Sequence, residues 1–508
     1  MKLNKIILLF TLLFAISCSQ DFVEQSPEDA ITVDNFFNTD QQVLSSGSPL
    51  YGYPWFYFNE KFLITIGDLY AGNAIGSYSD LAQFENFTVN GSNQFSNEGW
   101  DSLYNVIANA NVLIHNLETK VGSNVSQEVI NKVMGEAYFM RATAYFYLAR
   151  IWGPVPIIYS VDQINSKEPI YKNKTEDIYT FLIKDYEKAN SLLPTTWDAN
   201  NAGRVTKSAC DGMLAKVYIT MGDYAKANNY STKVINSGLY NLLPNYQDLF
   251  NPVFNNNAES IFALQWVACG DWGFQNANQA YLAASPKLTQ VGDGWATFQP
   301  SIDLMNAYEN GDLRRYRTIM EPGSFYPELV TAEGGYTVPD DGMTSTLAGF
   351  RKYVVGSPDE GNVCFMSTEV NTNILRYADI LLIHAESILG TSTSTTDQEA
   401  LDAFNAVRKR AGLDAKTEIT SSDIFNERRI EFVVEGDYWF DLVRRDRTEA
   451  IEILSNQERG VYQDRNINTI ASKKVTPSQA DFLLPIPSAE TAKNPLLLEE
   501  PVAFDFNN

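Results

Sequence analysis

Residues 206–227 read TKSACDGMLAKVYITMGDYAKA, and this stretch decides the fold class. Thr206 can cap a first helix, which Gly222 ends, and Asp223 can begin a second helix directly afterwards. The alanines in the stretch let two antiparallel helices approach closely, because their side chains take up little space. The stretch therefore predicts a tightly packed pair of helices.

The spacing A-x2-Y-x3-G-D-Y-x2-A in residues 215–227 resembles the tetratricopeptide repeat. Apolar residues continue at helical spacing on both sides of this segment. They form stripes with steps of three and four residues in 103–117 and 138–152, and again in 375–407. We expect about four irregular helix pairs, and therefore a mainly α fold built from tetratricopeptide-like repeats.

A different kind of segment separates the two groups of helices. Residues 240–372 have few helical patterns and many Gly, Pro and aromatic residues, although residues 259–268 alternate like a strand. We predict that a loop-rich, partly β ligand-binding block is inserted here. The chain then consists of N-terminal loops and helical repeats (41–239), this block, and C-terminal helical repeats with a tail (373–508).

The N-terminus predicts export. Residues 1–17 combine two lysines with an apolar run that is too short to span a membrane, as in a signal peptide. Small residues precede Cys18, which resembles the processing site of bacterial lipoproteins, where the cysteine is acylated and begins the mature chain. The alternative is an ordinary secretory signal that is cleaved near Ser17. Residues 18–40 are polar and acidic, and we predict that they form a lipidated tether.

Charge and composition exclude several function classes. The 508 residues include 62 Asp+Glu and 38 Lys+Arg, for a formal net charge of −24. This balance argues against nucleic acid as a partner, because phosphate binding needs clustered basic residues. Two histidines argue against a His-rich metal site and a His-dependent hydrolase. We predict no metal and no cofactor.

After Cys18, an odd number of cysteines remains: Cys210, Cys269 and Cys364. Their spacing fits neither a zinc site nor a dense disulfide framework. Cys210 lies in a helical pattern, so we interpret it as a small apolar residue of the core.

Six stretches along the chain together resemble the RagB/SusD family of nutrient-uptake outer-membrane lipoproteins. They are residues 135–156 (GEAYFMRATAYFYLARIWGPVP), 203–224, 373–386 (NILRYADILLIHAE), 407–413 (VRKRAGL), 427–444 (ERRIEFVVEGDYWFDLVR) and 484–487 (LPIP). The resemblance implies a lipid-anchored protein of the outer membrane, facing the cell exterior, that binds a nutrient and performs no chemistry. The nutrient would be an oligosaccharide, and the partner a SusC-like TonB-dependent transporter whose channel the protein caps. The acidic charge of the chain favours a neutral glycan.

Sugars bind exposed aromatic rings through their C–H faces, and their hydroxyl groups need polar side chains nearby. In the family, the ligand surface comes from loops before the first repeat and from the inserted block. The candidate ligand-binding residues in these places are Trp272, Phe274, Tyr281, Tyr78 and Asn73. Each could instead belong to the core, since most aromatic residues are core residues.

Trp272 is the first choice, because glycines precede and follow it and Asp271, Gln275 and Asn276 accompany it. The other tryptophans fit this role less well. Trp266 shares the predicted strand face with Phe262 and Leu264, so we assign it to the core. We assign Trp100, Trp152 and Trp439 to the helical scaffold and leave Trp295 open.

Two other functions remain open. Paired carboxylates such as Glu427 and Glu431 could serve a glycoside hydrolase, which needs an acid and a nucleophile or base across a sugar cleft. We interpret these two as scaffold, because they lie in an apolar helical pattern where they can pair with Arg428 and other cations. The other candidate is a helical-repeat scaffold that holds a peptide in its concave face.

We predict that Cys18→Ala releases the protein from membranes, because acyl chains anchor a protein through roughly 0.8 kcal/mol per buried methylene. Membrane fractionation together with mass spectrometry of the wild-type N-terminus checks this. An unmodified Cys18 in a wild-type protein that still fractionates with membranes would contradict the lipoprotein interpretation.

Overall fold

A computed structural model describes residues 36–166, 168–356 and 363–506. The predicted signal peptide, Cys18 and most of the predicted tether lie outside the described residues. None of the described helices is long and apolar enough to cross a membrane.

Eight helices form a stack. They are α1 Gln94–Thr119, α2 Gln127–Trp152, α3 Thr175–Leu192, α4 Lys207–Thr220, α5 Tyr224–Asn236, α6 Tyr377–Leu389, α7 Gln398–Arg410 and α8 Ser421–Glu431. Each helix from α1 to α6 packs against the next one, and α8 packs on α6. This arrangement confirms the mainly α, repeat-built fold.

The turn between α4 and α5 forms as its residues predict. The Thr206 side chain accepts a hydrogen bond from the N–H of Ala209, at 3.2 Å, and the Asp223 side chain accepts one from the N–H of Lys226, at 3.1 Å. Both are helix caps, which satisfy N–H groups that have no partner inside the helix. Gly222 between them has a φ of +74°, a left-handed conformation that favours glycine.

The remaining elements are short. The other α-helices are Asp40–Gly47, Ser79–Glu85, Val161–Ser166, Asn278–Leu282, Pro286–Thr289, Ile302–Ala307, Leu313–Thr318, Tyr438–Val443, Arg447–Asn456 and Ser488–Lys493. The strands are β1 Ala74–Gly76, β2 Ser260–Leu264, β3 Phe298–Pro300, β4 Ile319–Met320, β5 Phe325–Tyr326, β6 Tyr336–Thr337, β7 Gly349–Phe350, β8 Val363–Cys364, β9 Ser367–Thr368, β10 Thr372–Arg376, β11 Ser394–Thr395, β12 Ile419–Thr420, β13 Val461–Tyr462 and β14 Ile470–Ala471.

All pairings between these described strands are antiparallel and two-stranded: β1–β3, β2–β10, β4–β7, β5–β6, β8–β9, β11–β12 and β13–β14. The pairing of β2 with β10 joins the two ends of the irregular segment between α5 and α6, with Thr372 opposite Leu264. The strand predicted at 259–268 is shorter than expected, since it spans Ser260–Leu264. It is also buried on both faces, since residues 261–264 are all core residues. The boundaries of the three predicted parts stay predictions.

Carboxylates and guanidinium groups of the C-terminal motifs form a buried ion-pair network. Arg376 pairs with Glu259, Glu431 and Glu435 at 2.5, 3.0 and 2.7 Å, and all four side chains are almost completely buried. Burial alone would raise the pKa of Glu431. The nearby cations, Arg410 and Arg376 foremost, instead hold that pKa well below its usual range. Glu431 is therefore an anion that the fold uses as an internal ion-pair partner.

One disulfide lies within the irregular segment, between Cys269 and Cys364. An odd number of cysteines does not indicate which two are paired, so this bond could not be predicted from the sequence. Cys210 is a free, fully buried thiol in α4, as its helical pattern indicated.

We predict that Arg376→Leu lowers the free energy of unfolding by roughly 3–5 kcal/mol, because it leaves three buried carboxylates without their common cation. Chemical denaturation measures this. Lys287→Leu is the matched control, since Lys287 forms a solvent-exposed pair with Glu333, and it should leave the unfolding midpoint unchanged. Equal midpoints for the two variants would show that the network does not stabilise the fold.

Candidate functional site

Three of the five predicted ligand residues are on the surface. Trp272 is 52% exposed, Tyr78 47% and Phe274 41%. Single exposed rings are common on protein surfaces, whereas a group of neighbouring exposed rings marks a place where a ligand or partner can gain contact area.

The other two predicted residues, Tyr281 and Asn73, are in the interior, and we remove them from the site. Tyr281 lies on the buried helix Asn278–Leu282, and its hydroxyl donates a hydrogen bond to Glu60. The Asn73 amide nitrogen donates to Asp68 at 3.1 Å, and its oxygen accepts from Arg429 at 2.8 Å. The polar atoms of both side chains therefore form hydrogen bonds inside the core.

Two of the polar residues expected beside Trp272 are also interior. The Gln275 side chain accepts a hydrogen bond from the N–H of Gly273 at 2.9 Å. The Asn276 side chain donates to the carbonyl of Val370 at 2.7 Å. They hold the loop in shape, whereas Asp271 remains exposed beside the Trp272 ring.

Loop 269–276 carries Trp272 and Phe274, and each ring leans on a second ring from the segment 53–57. The Trp272 ring meets the buried Phe56 edge to face, with 5.2 Å between centroids. The Phe274 ring stacks on Tyr53 at 5.0 Å. These contacts fix the orientation of both exposed rings.

Gly273 permits this close approach. Its φ is +99°, and a Cβ placed there would lie 2.8 Å from the Tyr53 ring. The loop therefore needs glycine both for its backbone conformation and for space.

The structure adds surface rings that the sequence analysis missed. Tyr53, which stacks on Phe274, and Tyr57, whose ring contacts Phe56, are 55% and 46% exposed. The stretch YGYPWFY at 51–57 signals an aromatic cluster, but three of its rings are core residues, so the density of aromatic residues alone does not identify the exposed ones.

A second pair of exposed rings, Trp295 and Phe365, lies on neighbouring loops. Their centroids are 5.9 Å apart, and the buried Tyr281 backs the Trp295 ring at 5.5 Å. This places Trp295, which the sequence left open, partly at the surface. Phe365 follows Cys364 in the hairpin turn between β8 and β9, and no local sequence pattern marks it.

The two groups of rings share one supporting framework. Asn276 and Thr368 exchange backbone hydrogen bonds at 3.0 and 2.9 Å, which joins loop 269–276 to the β8–β9 hairpin. We call the six exposed rings on this framework the aromatic platform: Tyr53, Tyr57, Trp272, Phe274, Trp295 and Phe365. Tyr78 lies beside it, since Ser77 donates a backbone hydrogen bond to Thr297, close to Trp295.

The carboxylates considered for hydrolysis are elsewhere and are not accessible. Glu427 pairs with Arg314 at 2.7 Å and with Arg408 at 3.1 Å, and it is buried together with Glu431. Within residues 36–166, 168–356 and 363–506, no group of three or more His, Cys, Asp or Glu is arranged to hold a metal ion.

Comparison with known proteins identifies the family. A SusD family model matches residues 258–502, and a second model, described as starch-binding associating with outer membrane, matches residues 21–219. A SusD-like protein of Bacteroides ovatus is 34% identical over 100% of this chain and 99% of its own. The chain belongs to the SusD family.

Other SusD relatives are also similar over most of their length. SusD-like protein P2 of Formosa agariphila is 26% identical over 98% of this chain and 99% of its own. A crystal structure with a xylogluco-oligosaccharide superposes with a TM-score of 0.84 and is 33% identical, covering 92% of this chain and 100% of that one. A laminarin-binding SusD-like protein is 24% identical with a TM-score of 0.72, covering 90% of this chain and 98% of that one, and so shares the fold.

We predict that Trp272→Ala weakens oligosaccharide binding at least about tenfold, or roughly 1.4 kcal/mol, because binding energy concentrates in a few contact residues. Its melting temperature should hardly change, since the ring is half exposed. Isothermal titration calorimetry and thermal unfolding check both expectations.

Trp266→Ala is the control, because Trp266 is buried and its indole N–H donates to Thr372 at 3.0 Å. It should cost roughly 3–5 kcal/mol of stability through a cavity. A Trp272→Ala protein that binds as tightly as the wild type would place the ligand away from this ring.

Proposed function

We propose that this SusD-family chain is a cell-surface lipoprotein that binds a neutral oligosaccharide on the aromatic platform and delivers it to a SusC-like TonB-dependent transporter. The observation that carries the proposal is the set of six exposed aromatic rings on one connected group of loops. A large aromatic ring exposed to water is stabilised when an apolar surface covers it. The flat C–H faces of sugars are surfaces of this kind.

The shape of the site favours an extended glycan. The rings lie on four separate segments: 53–57, 269–276, 292–295 and the β8–β9 hairpin. A single sugar ring covers one or two aromatic rings, whereas an oligosaccharide can contact several at once. The xylogluco-oligosaccharide in the solved relative supports this class of ligand.

Charge supports a neutral ligand. The net charge of the chain is −24, and the exposed polar side chain beside Trp272 is the carboxylate of Asp271. An anionic glycan would meet unfavourable electrostatics at this surface, because like charges disfavour association.

Binding without turnover is the second part of the proposal. A glycoside hydrolase needs two accessible carboxyl groups on either side of the scissile bond, one with a raised pKa. Neighbouring cations instead lower the pKa of Glu431. In addition, both Glu427 and Glu431 are held in buried ion pairs. These contacts support a structural role for the motif carboxylates.

The lipid anchor and the transporter partner are supported by observations outside the aromatic platform. Cys18 stands after a signal-like segment, and one of the two matching family models is described as associating with the outer membrane. A lid that captures glycans outside the cell requires both an anchor and a transport partner, so membership of the SusD family supports all three together.

We predict binding of at least one neutral oligosaccharide, with no release of reducing ends from it. The purified chain is titrated with xylogluco-, laminari- and malto-oligosaccharides, and each mixture is then assayed for reducing sugar. New reducing ends that disappear in Glu427→Gln would identify a hydrolase. Binding of a peptide library with no response to any glycan would instead favour the peptide scaffold.

Affinity purification from the native membrane tests the partner. The wild-type chain should co-purify with a TonB-dependent transporter encoded beside it. Recovery of the lipoprotein without such a transporter, in a detergent that preserves outer-membrane complexes, would contradict the delivery role.

A further inference from the structure

The disulfide between Cys269 and Cys364 lies inside the aromatic platform. Cys269 begins the loop that carries Trp272 and Phe274, and Cys364 directly precedes Phe365. The bond joins residues that are 95 positions apart in the sequence. The bond therefore connects loop 269–276 with the β8–β9 hairpin, and both of these segments carry exposed rings.

Cys269 and a residue close to Cys364 have unfavourable backbone conformations. Cys269 has a φ of +58° and Met366 a φ of +54°, in the left-handed region that residues other than glycine avoid. Hydrogen bonds accompany the disulfide on both sides. The N–H of Cys269 donates to the Ser367 hydroxyl at 2.8 Å, and the N–H of Met366 donates to Asp293 at 2.6 Å.

The second of these hydrogen bonds extends the connection to Trp295. Asp293 lies two residues before Trp295, so its carboxylate links the hairpin to the third ring-bearing loop. The β8–β9 hairpin is thus the central piece of the platform. The disulfide ties it to loop 269–276, and Asp293 ties it to loop 292–295.

Once the covalent link is cut, a strained backbone tends to relax toward common conformations. A change of φ at Cys269 moves the chain next to Trp272, and a change at Met366 moves the chain next to Phe365. The helical repeats should not respond, because they are held by their own packing and by the Arg376 network.

We propose that the Cys269–Cys364 disulfide is a positioning element of the binding site, which keeps the Trp272 and Phe365 rings in one surface that a single oligosaccharide can contact. The inference rests on the proposed glycan-binding function and adds a requirement to it. Cutting the bond weakens glycan binding while the protein stays folded.

The bond can be cut in two ways. A phosphine reductant breaks the S–S bond: the phosphorus is oxidised, water supplies the oxygen and two protons, and two thiols and the phosphine oxide result. The exposed Cys269 makes the bond accessible to it. The double variant Cys269→Ser/Cys364→Ser removes the link permanently. Both forms are titrated with xylogluco-, laminari- and malto-oligosaccharides by calorimetry, and the reduced wild type is titrated again after reoxidation.

We expect the dissociation constant to rise at least about tenfold in the double variant and in the reduced wild type, and to recover on reoxidation. Because loss of a cross-link also lowers the melting temperature, Val234→Ala is the control. It shortens a buried side chain in α5 and should lower the melting temperature without changing affinity. An affinity in the double variant equal to that of the oxidised wild type would overturn the inference and leave the glycan-binding function standing.

A ligand-free measurement separates the two proposals further. Hydrogen–deuterium exchange of the reduced protein should rise in residues 269–276 and 363–368 and stay unchanged in α4 and α5. If exchange in the two platform segments does not change, the disulfide does not position them, whether or not a glycan binds. If exchange rises but the oxidised protein binds no member of the panel, the inferred role in glycan binding fails together with the proposed function.

Discussion

The buried guanidinium group of Arg376 connects three parts of the chain that lie far apart in the sequence. Its carboxylate partners are Glu259, just before β2, Glu431 at the end of α8, and Glu435 in the turn that follows. Taking these charges out of water costs several kcal/mol for each ion, and only close opposite charges offset that cost. The geometry in which all of them are paired is the one that docks the irregular segment onto the helical repeats.

From this anchor the chain leads directly to the platform. β2 begins next to Glu259 and ends shortly before Trp266, whose indole N–H donates to the Thr372 hydroxyl. That hydroxyl in turn donates to Asn59 at 2.7 Å, on the segment that follows Tyr53 and Tyr57. One buried hydrogen-bonded group therefore fixes β2, β10 and the segment beneath the exposed tyrosines relative to one another.

The fold could be predicted from the sequence because its signals are local. A cap at Thr206, a stop at Gly222 and a new cap at Asp223 each depend on residues within one turn of helix. The prediction of β2 was less accurate. Alternation of apolar and polar residues is typical of a strand with one exposed face, and it does not show that other parts of the fold cover that face.

The candidate site was predicted in part, because exposure is a property of the whole fold. Trp272 could be found since glycines mark a loop around it. Tyr281 could not be excluded, because a short helix shows no pattern that reveals its complete burial. Phe365 becomes part of the surface through a tight hairpin that no turn signal marks, and through a disulfide that joins residues 95 positions apart in the sequence.

The contacts behind the platform rings explain how the chain can expose them and still hold them in a defined orientation. Trp272 leans on Phe56 and Trp295 on Tyr281, and both supporting rings are buried. Such contacts limit the rotation of the exposed rings before any ligand arrives. A side chain that is already ordered loses little conformational entropy on binding, so more of the contact energy appears as affinity. Because the supporting rings belong to the core, the same packing that stabilises the fold also sets the orientation of the aromatic platform.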